Sequence, residues 1–145
     1  MAATVRGAVR ELLEQTIATM DALLEASDRE LPLPSSHACA QGKDLWTLIT
    51  NDVDHEKIHV GQVLEARYES RMTASPMERL IAEWLAERAR FIGSLVGLTD
   101  EQFNAETAPG EWTYRVIAKH VVTLEQDSLK ALAADRAARA GTAPA

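Results

Sequence analysis

The stretch Ser75-Pro76-Met77-Glu78-Arg79-Leu80-Ile81-Ala82-Glu83-Trp84-Leu85 decides how the rest of the chain is read. Ser75 is an N-cap, Pro76 sits at the first helical position where its missing N–H costs nothing, and Glu78 completes a capping box. The apolar residues that follow, Leu80, Ile81, Trp84, Leu85, Phe91 and Leu95, recur at helical spacing until Gly97. The same period appears on both sides. Val5, Leu12, Leu13, Ile17, Met20, Leu23 and Leu24 predict a helix from Ala3 to Ala26, stopped by Ser27-Asp28 and the proline pair Pro32 and Pro34. Asp44 predicts the N-cap of a second helix through Trp46, Ile49, Val53 and Val63 to Tyr68. A fourth follows Pro109-Gly110, with Thr113 as cap and Trp112 packing on Ile117 as a hydrophobic staple. No segment alternates as a half-buried strand would.

The expected fold is therefore all-α: a four-helix bundle with helices near residues 3–27, 44–69, 75–97 and 112–137. The loop from Leu31 to Lys43 is expected to be the longest irregular segment. One domain is expected over residues 1–140, with a frayed tail at 141–145.

Composition narrows the function classes. The 145 residues are 46% hydrophobic and 26% charged, a globular balance, and the net charge is −7 with both signs mixed along the chain. No Lys/Arg cluster is long enough to follow a phosphate backbone, so nucleic acid is not an expected partner. No apolar run approaches roughly 18 residues, and the start MAATVRGAVRELLEQ carries charges where a signal peptide needs an apolar core, so neither a membrane nor export is expected. The single cysteine, Cys39, has no internal disulfide partner, which suits a cytoplasmic protein. Unmatched apolar faces on the first and third helices predict a homodimer.

The sequence also repeats. Leu23, then Ser27-Asp28-Arg29-Glu30-Leu31, a loop and Trp46-Thr47 parallel Leu95, then Thr99-Asp100-Glu101-Gln102-Phe103, a loop and Trp112-Thr113. The offset is 72 residues before the loop and 66 after it. Two such helix–loop–helix units predict an approximate internal twofold in the bundle.

The chemistry concentrates on the second helix of each unit. His55 and His59 are four residues apart and project from one helical face, whose neighbours are Leu48, Asp52, Gln62 and Val63. His120 lies among Val116, Ile117 and Leu124 on the stripe expected to face a core. Imidazoles brought together in a bundle interior need partners for their nitrogens, and a divalent metal supplies one. Each residue also has a plainer reading. A His pair at this spacing is common on solvated helices, and a lone His on an apolar stripe is more often a satisfied core residue. Asp52, Asp54, Glu56 and Glu125 read as solvated helix charges, with Asp52 and Glu56 the expected partners for imidazole N–H groups. Trp46, Trp84 and Trp112 read as core or staple residues. His37 and Cys39 fall in the Pro/Ser-rich loop, where exposure is the ordinary outcome.

The segment His55-Glu56-Lys57-Ile58-His59-Val60-Gly61-Gln62-Val63 resembles the histidine-pair motif of the DinB/YfiT-like superfamily, in which Gly-Gln follows one residue after the second histidine. Gly110-Glu111-Trp112-Thr113 through His120 resembles that family's other hallmark, a Trp-Ser/Thr helix start with a histidine eight residues after the tryptophan. The resemblance covers nearly the whole chain and implies a four-helix bundle holding one divalent metal ion (Zn, Ni or Fe) on His55, His59 and His120. The order differs from most members, where the single-histidine helix comes first. Several members are transferases or isomerases that use a low-molecular-weight thiol such as mycothiol or bacillithiol. The resemblance thus implies a metal-dependent enzyme acting on a small-molecule substrate by S-transfer, thiol-assisted isomerisation or hydrolysis. The alternative is a noncatalytic metal-binding or stress-response bundle.

Overall fold

The computed structural model describes residues 4–141, and side chains through residue 138. Among the described residues there are five α-helices, one 3-10 helix and no strand. The α-helices are α1 (Val5–Glu25), α2 (Leu45–Glu69), α3 (Pro76–Leu95), α4 (Asp100–Asn104) and α5 (Tyr114–Gly141), and the 3-10 turn covers Ala38–Ala40. The expected start of the first helix at Ala3 and residues 142–145 of the expected frayed tail lie outside the described residues. Gly141 itself closes α5.

The helix starts follow from local chemistry. Thr4 caps α1 by accepting from the Gly7 N–H at 3.0 Å. Asp44 caps α2 by accepting from the Thr47 N–H at 2.9 Å. Ser75 and Glu78 form the expected capping box, the Ser75 N–H reaching the Glu78 carboxylate at 2.7 Å and the Glu78 N–H the Ser75 hydroxyl at 3.2 Å. Thr113 accepts from the Val116 N–H at 3.2 Å at the start of α5. The short helix α4 was not expected. Thr99 and Gln102 give it a complete capping box of its own, but five residues are too few to display an apolar period.

The chain divides into two compact units, residues 1–73 and 74–145. In the first unit the connection from Ala26 to Asp44 is the longest stretch without α-helix among the described residues. It is nevertheless ordered. The Ser35 N–H donates to Lys43 O at 2.9 Å, and the Leu45 and Trp46 N–H groups donate to Leu33 O and Leu31 O at 3.0 Å. Gln41 (φ 54°) and Gly42 (φ 74°) take successive left-handed conformations that turn the chain back toward α2, the second of which suits glycine. Ala40 is fully buried there, the one such residue among those described. The Asn51 amide donates to Cys39 O at 2.6 Å and ties this turn to α2.

In the second unit, α3 and α5 are joined through Glu125. Its carboxylate accepts from the Trp84 indole N–H at 2.9 Å and from the Arg88 guanidinium, which also lies over the Trp84 ring, 5.6 Å from its centroid. Glu125 is therefore a bridging residue rather than a solvated charge.

The connections of the two units use the same local hydrogen bonds. The Ser27 N–H donates to the Glu30 side chain at 2.7 Å, and the Thr99 N–H to the Gln102 side chain at 2.8 Å. Further on, Pro34 pairs with the cap Asp44 as Glu106 pairs with the cap Thr113. Residues 27, 30 and 34 correspond to 99, 102 and 106 at an offset of 72. The caps themselves are 69 apart, not 66. Trp46 thus lies inside α2 while Trp112 precedes the α5 cap, and the two tryptophans hold different places in their helices.

Both units carry exposed apolar helix faces. Leu12 is 68% exposed and Val63 59% in the first, Leu80 60% and Leu129 66% in the second. Trp46, Trp84 and Trp112 are each at least half exposed, so none is a core residue of its own unit.

Candidate metal centre

α2 presents His55 and His59 on successive turns of one face. Their Nε2 atoms are 2.9 Å apart and their ring centroids 4.5 Å apart. The other ring nitrogen of His59, Nδ1, lies 2.8 Å from Gln62 Oε1. Neither Asp52 nor Glu56 reaches an imidazole among the described residues, and Asp54 is paired with Lys57 at 2.9 Å. The neutral amide one turn further along thus does what a carboxylate was expected to do.

The donor set of the pair fits a divalent ion. The two Nε2 atoms, 2.9 Å apart and at hydrogen-bond distance, need to part only to about 3.3–3.4 Å to sit at the tetrahedral angle around an ion with bonds of roughly 2.0–2.1 Å. The pair is exposed, so a ligand has access to it. His59 also lines a groove of about 560 Å³ between α1 and α2, with Leu12, Thr16, Glu56, Val63 and Leu64. His55 faces a second hollow of about 260 Å³ beside the connecting loop, with Cys39, Asn51 and Asp54. The two histidines therefore open onto different hollows, His59 onto the α1–α2 groove and His55 onto the one beside the loop.

His120 belongs to the second unit, on α5. Its ring meets the Trp112 indole edge-on, with centroids 5.0 Å apart and planes inclined by 70°. Trp112, expected to staple onto Ile117, has its ring contact with this histidine. His120 stands seven residues after the Thr113 cap, as Asn51 stands seven after the Asp44 cap. Both reach back to the connection before their helix, Asn51 to Cys39 O and His120 to Trp112. Among the described residues, neither unit by itself gathers three or more His, Cys, Asp or Glu side chains as a metal would require.

The remaining loop candidates have structural tasks. His37 caps the 3-10 turn, its Nδ1 accepting from the Cys39 N–H at 3.2 Å. Cys39 is half-buried and free.

Three carboxylates are held below their ordinary pKa. The Ser27 backbone N–H lowers Glu30, with its hydroxyl adding to the effect. The hydroxyl of Thr47, then its N–H, lowers Asp44. The Trp84 indole N–H lowers Glu125, aided by Arg88 and opposed by partial desolvation. All three anchor structure, and none touches the histidine pair.

No helix among the described residues is long and apolar enough to cross a membrane. The chain matches no protein-family model, no curated protein and no solved structure.

Proposed function

We propose that this chain is a metal-dependent enzyme of the DinB/YfiT-like kind, in which His55, His59 and His120 hold one divalent ion. The observation that carries the reading is the His55–His59 pair, with its Nε2 atoms 2.9 Å apart and the remaining His59 nitrogen held by Gln62. Such an ion, when bound on three protein ligands, supplies Lewis acidity that makes a thiol or water nucleophilic at neutral pH. The chain's own residues supply the rest. The pair fixes two ligands from one helix, and the open groove lined by Leu12, Val63 and Leu64 offers an apolar surface beside His59 for a substrate body. S-transfer or isomerisation with a low-molecular-weight thiol is the preferred chemistry, and hydrolysis the other. The lone Cys39 suits a cytoplasmic setting.

The proposed architecture is one four-helix bundle built from two related helix–loop–helix units, paired as a homodimer. Its support is the uncovered apolar stripe of each unit, together with the recurrent turn hydrogen bonds at an offset of 72 residues. Burying one Leu or Val side chain stabilises by roughly 1.5–3 kcal/mol, and stripes of this kind need a covering surface.

A second reading rests on the Trp112–His120 contact. In it His120 is the loop anchor of α5, as Asn51 is of α2, and the chain is a noncatalytic metal-binding bundle protein. Elemental analysis of purified protein, with His55→Ala and His59→Ala as controls, tests the metal. One equivalent in the wild type and none in the variants is expected, and metal-free wild type after loading with Zn, Ni and Fe would sink both readings.

A further inference from the structure

We propose that Gln62 is the positioning residue of the histidine pair, selecting the His59 tautomer whose Nε2 lone pair is ready to ligate. The proposal rests on the metal-site reading above. A carboxamide oxygen only accepts hydrogen bonds, so with the Gln62 amide in this orientation the 2.8 Å contact to its Oε1 pairs with the neutral His59 tautomer that carries its proton on Nδ1. The His59 Nε2 then carries a lone pair. At 2.9 Å from the Nε2 of His55, it accepts the proton that His55 holds there. The order of hydrogen bonds along the face is thus His55 Nε2–H to His59 Nε2, and His59 Nδ1–H to Gln62 Oε1.

The two histidines are consequently unequal. His59 is already in the ligating tautomer. His55 becomes a second Nε2 ligand by moving its proton from Nε2 to Nδ1 through solvent, with no net proton gained or lost by the pair. Its Nδ1 has no partner among the described residues to oppose that move. Gln62 suits the task because it lies three residues beyond His59 on the next turn of the same face. Being neutral, it orients the ring without adding a second charge near His59, whose groove Glu56 already lines.

The test uses the full chain, with Gln62→Leu removing the acceptor and Gln62→Glu keeping it. Gln62 is exposed, so both variants are compatible with folding. Ring-nitrogen NMR on metal-free protein reads the tautomer, and calorimetric titration with Zn²⁺ reads affinity. The expected result is an Nδ1–H His59 in wild type and Gln62→Glu, lost in Gln62→Leu, with Zn²⁺ binding about 10–100-fold weaker in Gln62→Leu alone. An Nε2–H His59 in the wild type, or Zn²⁺ affinity unchanged in Gln62→Leu, would overturn the proposal. Wild type that takes up no Zn²⁺ overturns the metal reading instead, and the tautomer spectrum still decides whether Gln62 sets His59.

Discussion

Glu125 accepts the Trp84 indole N–H at 2.9 Å across 41 residues of chain, and through it α5 is fastened to α3. The same carboxylate meets Arg88. Charge-assisted hydrogen bonds contribute roughly 1.5–3 kcal/mol when buried, and partial exposure reduces this pair to about 1 kcal/mol. Glu125→Ala is therefore expected to lower unfolding stability by about 1 kcal/mol in urea denaturation, with Glu125→Gln intermediate because its amide oxygen still accepts from Trp84. Equal stability of Glu125→Ala and wild type would show that the helices do not depend on this contact.

Acid should loosen the connection before α2. Asp44 and Glu30 are both held below their ordinary carboxylate values in the folded chain. A depressed folded pKa means that the unfolded chain takes up protons first. The stabilisation is complete above the unfolded value and disappears as pH falls through the folded one. Circular dichroism melts at pH 7 and pH 3 should show wild type losing more stability on acidification than Asp44→Asn, which has no charge to lose at that cap. Parallel losses in the two proteins would remove the cap from the account.

How much of this was legible beforehand depended on how far each partner lies along the chain. Ser75, Glu78, Asp44 and Thr113 were readable because a cap is satisfied within three residues, so local sequence decides it. The four long helices follow from the same caps and an apolar period sustained over several turns. The short helix α4 was missed although Thr99-Asp100-Glu101-Gln102 carries a complete capping box, since five residues show no period. Gln62 is visible on the histidine face, but the sequence reading points to Asp52 and Glu56 as the imidazole partners, whereas the rotation of one helical turn brings the amide to the ring. Glu125 reads as a solvated charge from sequence because its partners, Trp84 and Arg88, are 41 and 37 residues away. The two Trp-Thr pairs looked equivalent, yet the caps align the units three residues differently, and only the backbone reveals which tryptophan precedes its helix.

Uncovered stripes predict association. Leu12, Ile17, Leu80 and Leu129 are all well exposed in their own units, and surfaces of this kind drive assembly when apolar area is contiguous. Sedimentation at micromolar concentration should give about twice the 15.9 kDa chain mass. A species at the monomer mass alone would count against the dimer.

His120 separates the two functional readings most sharply. If it is the third ligand, His120→Ala should abolish metal binding almost as fully as His59→Ala, because the pair alone offers two ligands from one helix and the third supplies the affinity. If it anchors the loop through Trp112, His120→Ala and Trp112→Ala should behave alike. Both would lower the melting temperature, and neither would change metal stoichiometry. Elemental analysis and melting curves on the three variants therefore give two distinct patterns. Loss of metal in His120→Ala with metal retained in Trp112→Ala supports the triad, since the tryptophan offers no ligand. Unchanged stoichiometry in His120→Ala refutes it, and leaves His55 and His59 as a two-ligand site on α2.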